Sequence, residues 1–182
     1  LRHVLLILSS CVVLSHAFIP AIPTNITDGL AGLQEGTLNV FWYQQGTFID
    51  RTRRVAAVSK SDPGIALGAL VHFSDPVAAS AAAATKTPWV ALVSCDANST
   101  ALPQDDIFAR AKSLGAVAGL LYSLYSQTCV INPGYNTSVP PLDVHVLTSA
   151  TSSKLVESLF ENINATRYGT FDAPTLDSEF TN

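Results

Sequence analysis

Methionine is absent from the 182 residues, and cysteine occurs only three times. A chain that begins with Leu1 and holds no Met reads as a piece of a longer one, so it is expected to continue past Asn182. Charge is scarce at 13%, while 48% of the residues are apolar; this balance argues against disorder and for a well-buried globule. The length suits one domain with a real core and is short for two. Positive charge is scarcest of all. The formal net charge is −4, and the densest basic cluster is Arg51, Arg53 and Arg54. The stripe of cations that would neutralise nucleic-acid phosphates is missing, so no nucleic-acid partner is expected. The Arg53-Arg54 pair reads as the solvated start of a strand, because Val55-Ala-Ala-Val58 follows directly, rather than as a processing site. Catalytic signatures are lacking too: there is no G-x-S-x-G elbow, no H-E-x-x-H, no phosphate-binding glycine loop and no C-x-x-C pair. The chain is not expected to be an enzyme or to hold a cofactor or metal.

What is present points to the secretory pathway. Leu1-Arg2-His3 is a short basic head, Val4 to Leu14 an apolar run, and Ser15-His16-Ala17 a small-x-small site. Together they match a signal peptide over residues 1–17, with cleavage expected after Ala17. The apolar run falls well short of the ~20 residues of a spanning helix. Any membrane association is therefore expected to come from sequence outside this chain. Asn25-Ile26-Thr27, Asn98-Ser99-Thr100, Asn136-Thr137-Ser138 and Asn164-Ala165-Thr166 all fit the N-glycosylation acceptor pattern. They take in four of the eight asparagines, where average Ser and Thr content would place about one by chance. Removing the leader also removes Cys11 and leaves Cys95 and Cys129, an even pair in a compartment where disulfides persist. A bridge between them is expected, two buried free thiols being the alternative.

Residues 18–37 carry Pro20, Pro23, Gly29, Gly32 and Gly36 with little periodicity and read as an irregular lead-in. The domain is expected over residues 38–172. Strands are expected at 38–43, 54–58 and 68–73, with a turn at Ser61-Asp-Pro-Gly64. The alanines from Ala78 to Ala84 allow about two helical turns between Pro76 and Pro88. Pro88-Trp-Val-Ala-Leu-Val-Ser94 is a strand apolar enough to be buried on both faces. A helix capped by Gln104 or Asp105 follows, with Ile107, Phe108, Ala111 and Leu114 on one face and Gly115 ending it. Ala116 to Ser123 is the next buried strand, which completes a βαβ crossover with parallel strands. Both strands then end at one sheet edge, with Cys95 and Cys129 just beyond those ends. Leu142 to Leu147 alternates as a half-buried strand. A helix with Leu155, Val156, Leu159 and Phe160 as its stripe, capped by Thr148, Ser149 or Thr151, follows it. Residues 165–172 are expected as an edge strand and 173–182 as a polar tail. The fold class is thus α/β, in the mixed α+β sense.

Two residues invite a chemical reading. Asp143 and His145 are two apart on a strand and so share a face, where they could ligate a metal or act as an acid–base pair. With His72 the one other histidine past the leader, a hydrogen-bonded structural histidine is the better reading. Tyr122, Tyr125 and Tyr135, near the end of the second parallel strand, are the candidate interaction surface, since exposed tyrosines suit interfaces.

The run Trp89-Val-Ala-Leu-Val93 with a cysteine soon after, then Ala111-Lys-Ser-Leu-Gly-Ala116 leading into Val117-Ala-Gly-Leu-Leu-Tyr-Ser123, resembles the core of protease-associated (PA) domains. There a strand of the type I-A-L-V precedes a cysteine, and an A-x-x-A-G-A helix end precedes an apolar strand. Ala111, Gly115 and Ala116 match that helix end, and the resemblance covers about residues 38–172. PA domains usually carry Arg-Gly before the cysteine and Cys-x-Phe-x-x-Lys from it. Here Val93-Ser94 precedes Cys95 and Asp96-Ala-Asn-Ser-Thr-Ala follows, which places an acceptor asparagine, Asn98, in that loop. Ser94-Cys95-Asp96 with Leu121-Tyr-Ser123 looks most like fungal PA ectodomains attached to a transmembrane helix and a RING-type ubiquitin ligase domain. The resemblance implies an open β-sandwich or barrel with flanking helices, and a non-catalytic luminal or extracellular module that binds protein or peptide. It also admits a PA domain of a secreted peptidase, or a free-standing secreted binder.

Overall fold

A computed structural model describes residues 17–42, 46–59, 64, 66–81, 83–96, 105–133, 135, 139–161 and 169–179. All but the last residue of the expected leader, the 61–63 part of the expected turn, and the acceptors Asn98, Asn136 and Asn164 lie outside them. Among the described residues the chain runs β1 (Ala17–Phe18), β2 (Ala21–Thr24), a 3-10 turn (Asp28–Leu30), β3 (Glu35–Trp42), β4 (Gly46–Ala56) and β5 (Ala69–His72). There follow α1 (Asp75–Ser80), β6 (Trp89–Ser94), β7 (Asp105–Asp106), α2 (Ile107–Ser113) and β8 (Ala116–Tyr122). Then come β9 (Thr128–Ile131), β10 (Val144–Leu147), α3 (Ala150–Glu161) and α4 (Ala173–Glu179).

The fold is mixed α+β. Its centre is a six-stranded sheet in the order β3-β4-β10-β8-β6-β5, curled into a half-barrel. β5, β6, β8 and β10 are parallel, and β4 and β3 close the other side antiparallel. β6, α2 and β8 form the expected crossover, with the two strands direct neighbours.

Alternation within β6 explains why its sequence is apolar throughout. Trp89, Ala91 and Val93 face the cluster that contains Ile107, Phe108 and Ala111 of α2. Leu92 joins Leu120, Tyr122 and Leu147 against Val156 and Phe160 of α3. A strand covered on both faces needs side chains of the same kind at every position. Trp89 is the centre of the first cluster, 5.2 Å from the Phe73 ring and 4.5 Å from the Phe171 ring, with its Nε1–H donating to the Leu114 carbonyl at 3.2 Å. Two glycines set how closely α2 approaches the sheet. Gly115 has φ +97°, which lets the chain leave the helix and turn into β8. At Gly119 a Cβ would stand 2.9 Å from the Phe108 ring, so only a bare backbone admits that side chain.

Several expectations change. The helix cap is Asp106, whose Oδ1 accepts from the Phe108 N–H at 2.9 Å, rather than Gln104 or Asp105. The segment 18–37, expected to be irregular, contains β2, which pairs antiparallel with β9, and it buries Ile19, Ala21 and Leu30 in the core. The expected polar tail forms α4 over most of its length and buries Ala173 and Leu176. Asp177 of that helix accepts from the Thr85 hydroxyl and from the Lys86 and Thr87 N–H groups. On α3 the buried face is Ser152, Ser153, Val156 and Phe160, whereas Leu155 is 47% exposed. The cap of α3 is, as expected, one of Thr148, Ser149 and Thr151, namely Ser149, whose Oγ accepts from the Ser152 N–H. α1 starts at Asp75 and ends at Ser80, before the last of the alanines. Of the expected edge strand at 165–172, residues 169–172 are not strand, and 165–168 lie outside the described residues.

Candidate functional site at the carboxyl edge of the parallel strands

The register pairs Leu92 with His72 and Ser94 with Tyr122, so the last residues of β5, β6 and β8 lie along one edge of the sheet. In open sheets with parallel strands the carboxyl ends are where ligands are received. Just past those ends Cys95 and Cys129 are joined, with their Cα atoms 6.2 Å apart. Cys129 sits within β9 opposite Pro23 of β2, so the bridge ties the small ladder to the large sheet.

Asp96 organises the turn beside the bridge. Its Oδ1 accepts from the Ser123 hydroxyl at 2.5 Å and its Oδ2 from the Leu124 N–H at 2.8 Å. Ser123 Oγ in turn accepts from the N–H groups of Tyr125 and Ser126 at 3.2 and 2.8 Å. The loop after β8 is thereby fixed from within, and Tyr125 projects from it 85% exposed.

The other two tyrosines have their hydroxyls engaged within the fold. Tyr122 is 7% exposed and its hydroxyl bonds the Glu157 carboxylate. Burial, with the negative charge of Glu157 added, pushes that hydroxyl well above the usual tyrosine range. Glu157 also receives His72, Nε2 to Oε2 at 2.9 Å, and the imidazole lies 4.1 Å from the Phe160 ring. The His72 hydrogen bond holds the Glu157 carboxyl below its ordinary value. Tyr135 donates its hydroxyl proton to Asp106, the cap of α2. Its partner's carboxyl is raised by burial, against the lowering effect of those bonds.

Asp143 and His145 are turned to structural use. Asp143 precedes β10, accepts from the buried Arg54 guanidinium at 3.3 Å and from the Val58 N–H at 2.7 Å, and lies outside the strand expected to carry it. His145 lies in β10 with Nδ1 3.5 Å from the Thr52 hydroxyl, and burial lowers its pKa below the usual imidazole value. Among the described residues no group of three His, Cys, Asp or Glu side chains converges as a metal site would require, and no helix is long and apolar enough to cross a membrane.

The residues that sequence reasoning missed here are Asp96 and Glu157. Neither has a signal in its spacing, since Asp96 meets Ser123 across the sheet edge and Glu157 meets His72 from another element. Asn25 is the one acceptor asparagine among the described residues; it is exposed, at the end of β2. In comparisons with known proteins, no family model, no curated protein and no solved structure matches this chain.

Proposed function

We propose that this chain is a non-catalytic PA-type recognition domain on the luminal or extracellular side of the secretory pathway. It binds protein or peptide at the carboxyl edge of its parallel strands, as the ectodomain of a membrane-anchored RING-type ubiquitin ligase. The observation that carries the reading is Tyr125, 85% exposed on a loop fixed by the Asp96 network and beside the disulfide. A large aromatic side chain presented by a backbone that is already ordered loses little conformational entropy on binding, which is what an anchor residue requires. The ionisable groups beside it are committed to the fold: Asp96 to Ser123 and Leu124, Glu157 to His72 and Tyr122. That arrangement favours recognition over proton transfer. The bridge supports an oxidising compartment, and the β6–α2–β8 unit supports the resemblance, because its helix end and second strand are the quoted PA-like residues.

The test uses the full chain passed through a eukaryotic secretory host and offered an immobilised library of random peptides. A subset is retained, and Tyr125→Ala weakens that retention by about tenfold or more, equivalent to ~1.4 kcal/mol. Cleavage of the peptides by the purified chain would overturn the non-catalytic reading, and retention indifferent to Tyr125 would remove the binding edge.

A further inference from the structure

Asn25 has an unusual division of labour. Its Oδ1 accepts from the Gln127 N–H at 3.1 Å, extending the β2–β9 ladder by one more contact beyond the Thr24–Thr128 pair. No described group bonds its amide nitrogen, and the residue is exposed together with Ile26 and Thr27. Thr27 supplies the hydroxyl that the acceptor pattern requires. It precedes the 3-10 turn at the N-cap position and makes no side-chain capping bond there, so its hydroxyl is not committed to that turn. The oxygen of the amide holds the fold while the nitrogen stays available.

The position also matters for Tyr125. Gln127, the residue bonded to Asn25, is two residues from Tyr125, which limits their Cα separation to about 7.6 Å. A branched oligosaccharide core reaches across that span. Ile26, next to Asn25, is 70% exposed, and Tyr125, two residues from the Gln127 that Asn25 holds, is 85% exposed.

We propose that Asn25 carries an N-linked glycan which stands at the rim of the Tyr125 loop and restricts access to it; the proposal rests on the secretory reading above. The modification forms a C–N bond between Asn25 Nδ2 and the anomeric carbon of an oligosaccharide supplied as its polyprenyl diphosphate ester. The anomeric C–O bond of that donor breaks, the diphosphate leaves as an anion, and one amide proton passes to a base. The glycan selects for slender, extended ligands over broad globular faces, because the sugars occupy the approach on the β2 side.

The experiment maps glycopeptides of the full chain secreted from a eukaryotic host, then footprints tyrosines with hydroxyl radicals, using buried Tyr122 as the internal reference. Asn25 is found occupied, and Tyr125 labelling rises several-fold in Thr27→Ala, which removes the acceptor pattern without touching the Asn25–Gln127 bond. Thr27→Ser restores both the glycan and the protection. Enzymatic release of the glycan from the folded chain converts Asn25 to Asp, which keeps an oxygen for the Gln127 N–H, and must raise Tyr125 labelling equally. A bare Asn25 in a chain glycosylated at Asn98, Asn136 or Asn164 overturns the proposal and leaves the secretory reading standing. Occupancy with unchanged Tyr125 labelling overturns the access claim, and a chain that carries no glycan and stays in the cytosol overturns the secretory reading itself.

Discussion

Opening the Cys95–Cys129 bridge tests most directly how the carboxyl edge is held. The cysteines are 34 positions apart. In the chain-entropy treatment, closing a loop of that size removes ~13 cal/mol/K from the unfolded chain, or about 3.8 kcal/mol at 25 °C. Both side chains lie in the core, so serine replacements would add the penalty of a buried hydroxyl. Alanine at both positions is the cleaner change. The neighbouring native contacts survive it: the Cys95 N–H still donates to the Tyr122 carbonyl at 3.0 Å, Asp96 still holds Ser123 and Leu124, and β9 still pairs with β2. Most of the loss therefore falls on the unfolded side of the equilibrium. With a urea m value of ~2 kcal/mol/M, the unfolding midpoint falls by nearly 2 M, and m rises because the open chain exposes more surface. Either single alanine variant, its remaining thiol blocked, loses about as much as the double one, since one change already opens the loop. A midpoint shift below about 0.5 M, which is ~1 kcal/mol on the same m value, would refute the loop-closure reasoning.

Arg54→Ala strands the Asp143 carboxylate beside a buried gap, and by the usual cost of breaking a buried pair it lowers stability by about 3–5 kcal/mol in urea titration. A loss within error of zero would mean that the pair contributes nothing. Glu157→Gln changes the acid limb of the stability curve. Because the wild-type carboxyl is depressed, its contribution is present above its ordinary value of 4.5 and fades as pH falls through the lower folded value. Wild-type minus variant stability, followed by thermal melts between neutral and acid pH, therefore shrinks toward acid, and a gap that widens there would contradict the His72–Glu157 assignment.

What was legible in the sequence was local. Trp89 to Ser94 and Ala116 to Tyr122 are apolar enough to declare buried parallel strands, and Gly115 marks the helix end between them. The bridge followed from that geometry. What stayed hidden depends on partners far along the chain. β2 holds Pro23 and reads as a loop by itself; it is a strand because β9, more than a hundred positions later, pairs with it. α4 carries polar residues that look like a tail until Thr85, Lys86 and Thr87 converge on Asp177. The stripe of α3 misled because Leu155 outranks serine in apolarity. Ser152 and Ser153 go inward since their hydroxyls are satisfied by Ser149, leaving Leu155 outside. Tyr122 and Tyr125 are close in sequence, yet Tyr122 ends β8 and is buried against α3, whereas Tyr125 lies in the loop after that strand and is exposed.

The pairing of β2 with β9 also has a cost in time. Thr24 meets Thr128, so during synthesis at ~5–20 residues per second the first strand waits roughly 5–20 s for its partner to be made. Throughout that interval the Asn25 oxygen has no Gln127 N–H to accept from, and Cys95, once made, waits for a further 34 residues before Cys129 follows. The amide that later helps close the ladder is therefore most open to enzymes while the chain is still being made, before its oxygen is engaged by Gln127. Order of emergence, more than final geometry, decides which reaches that amide first.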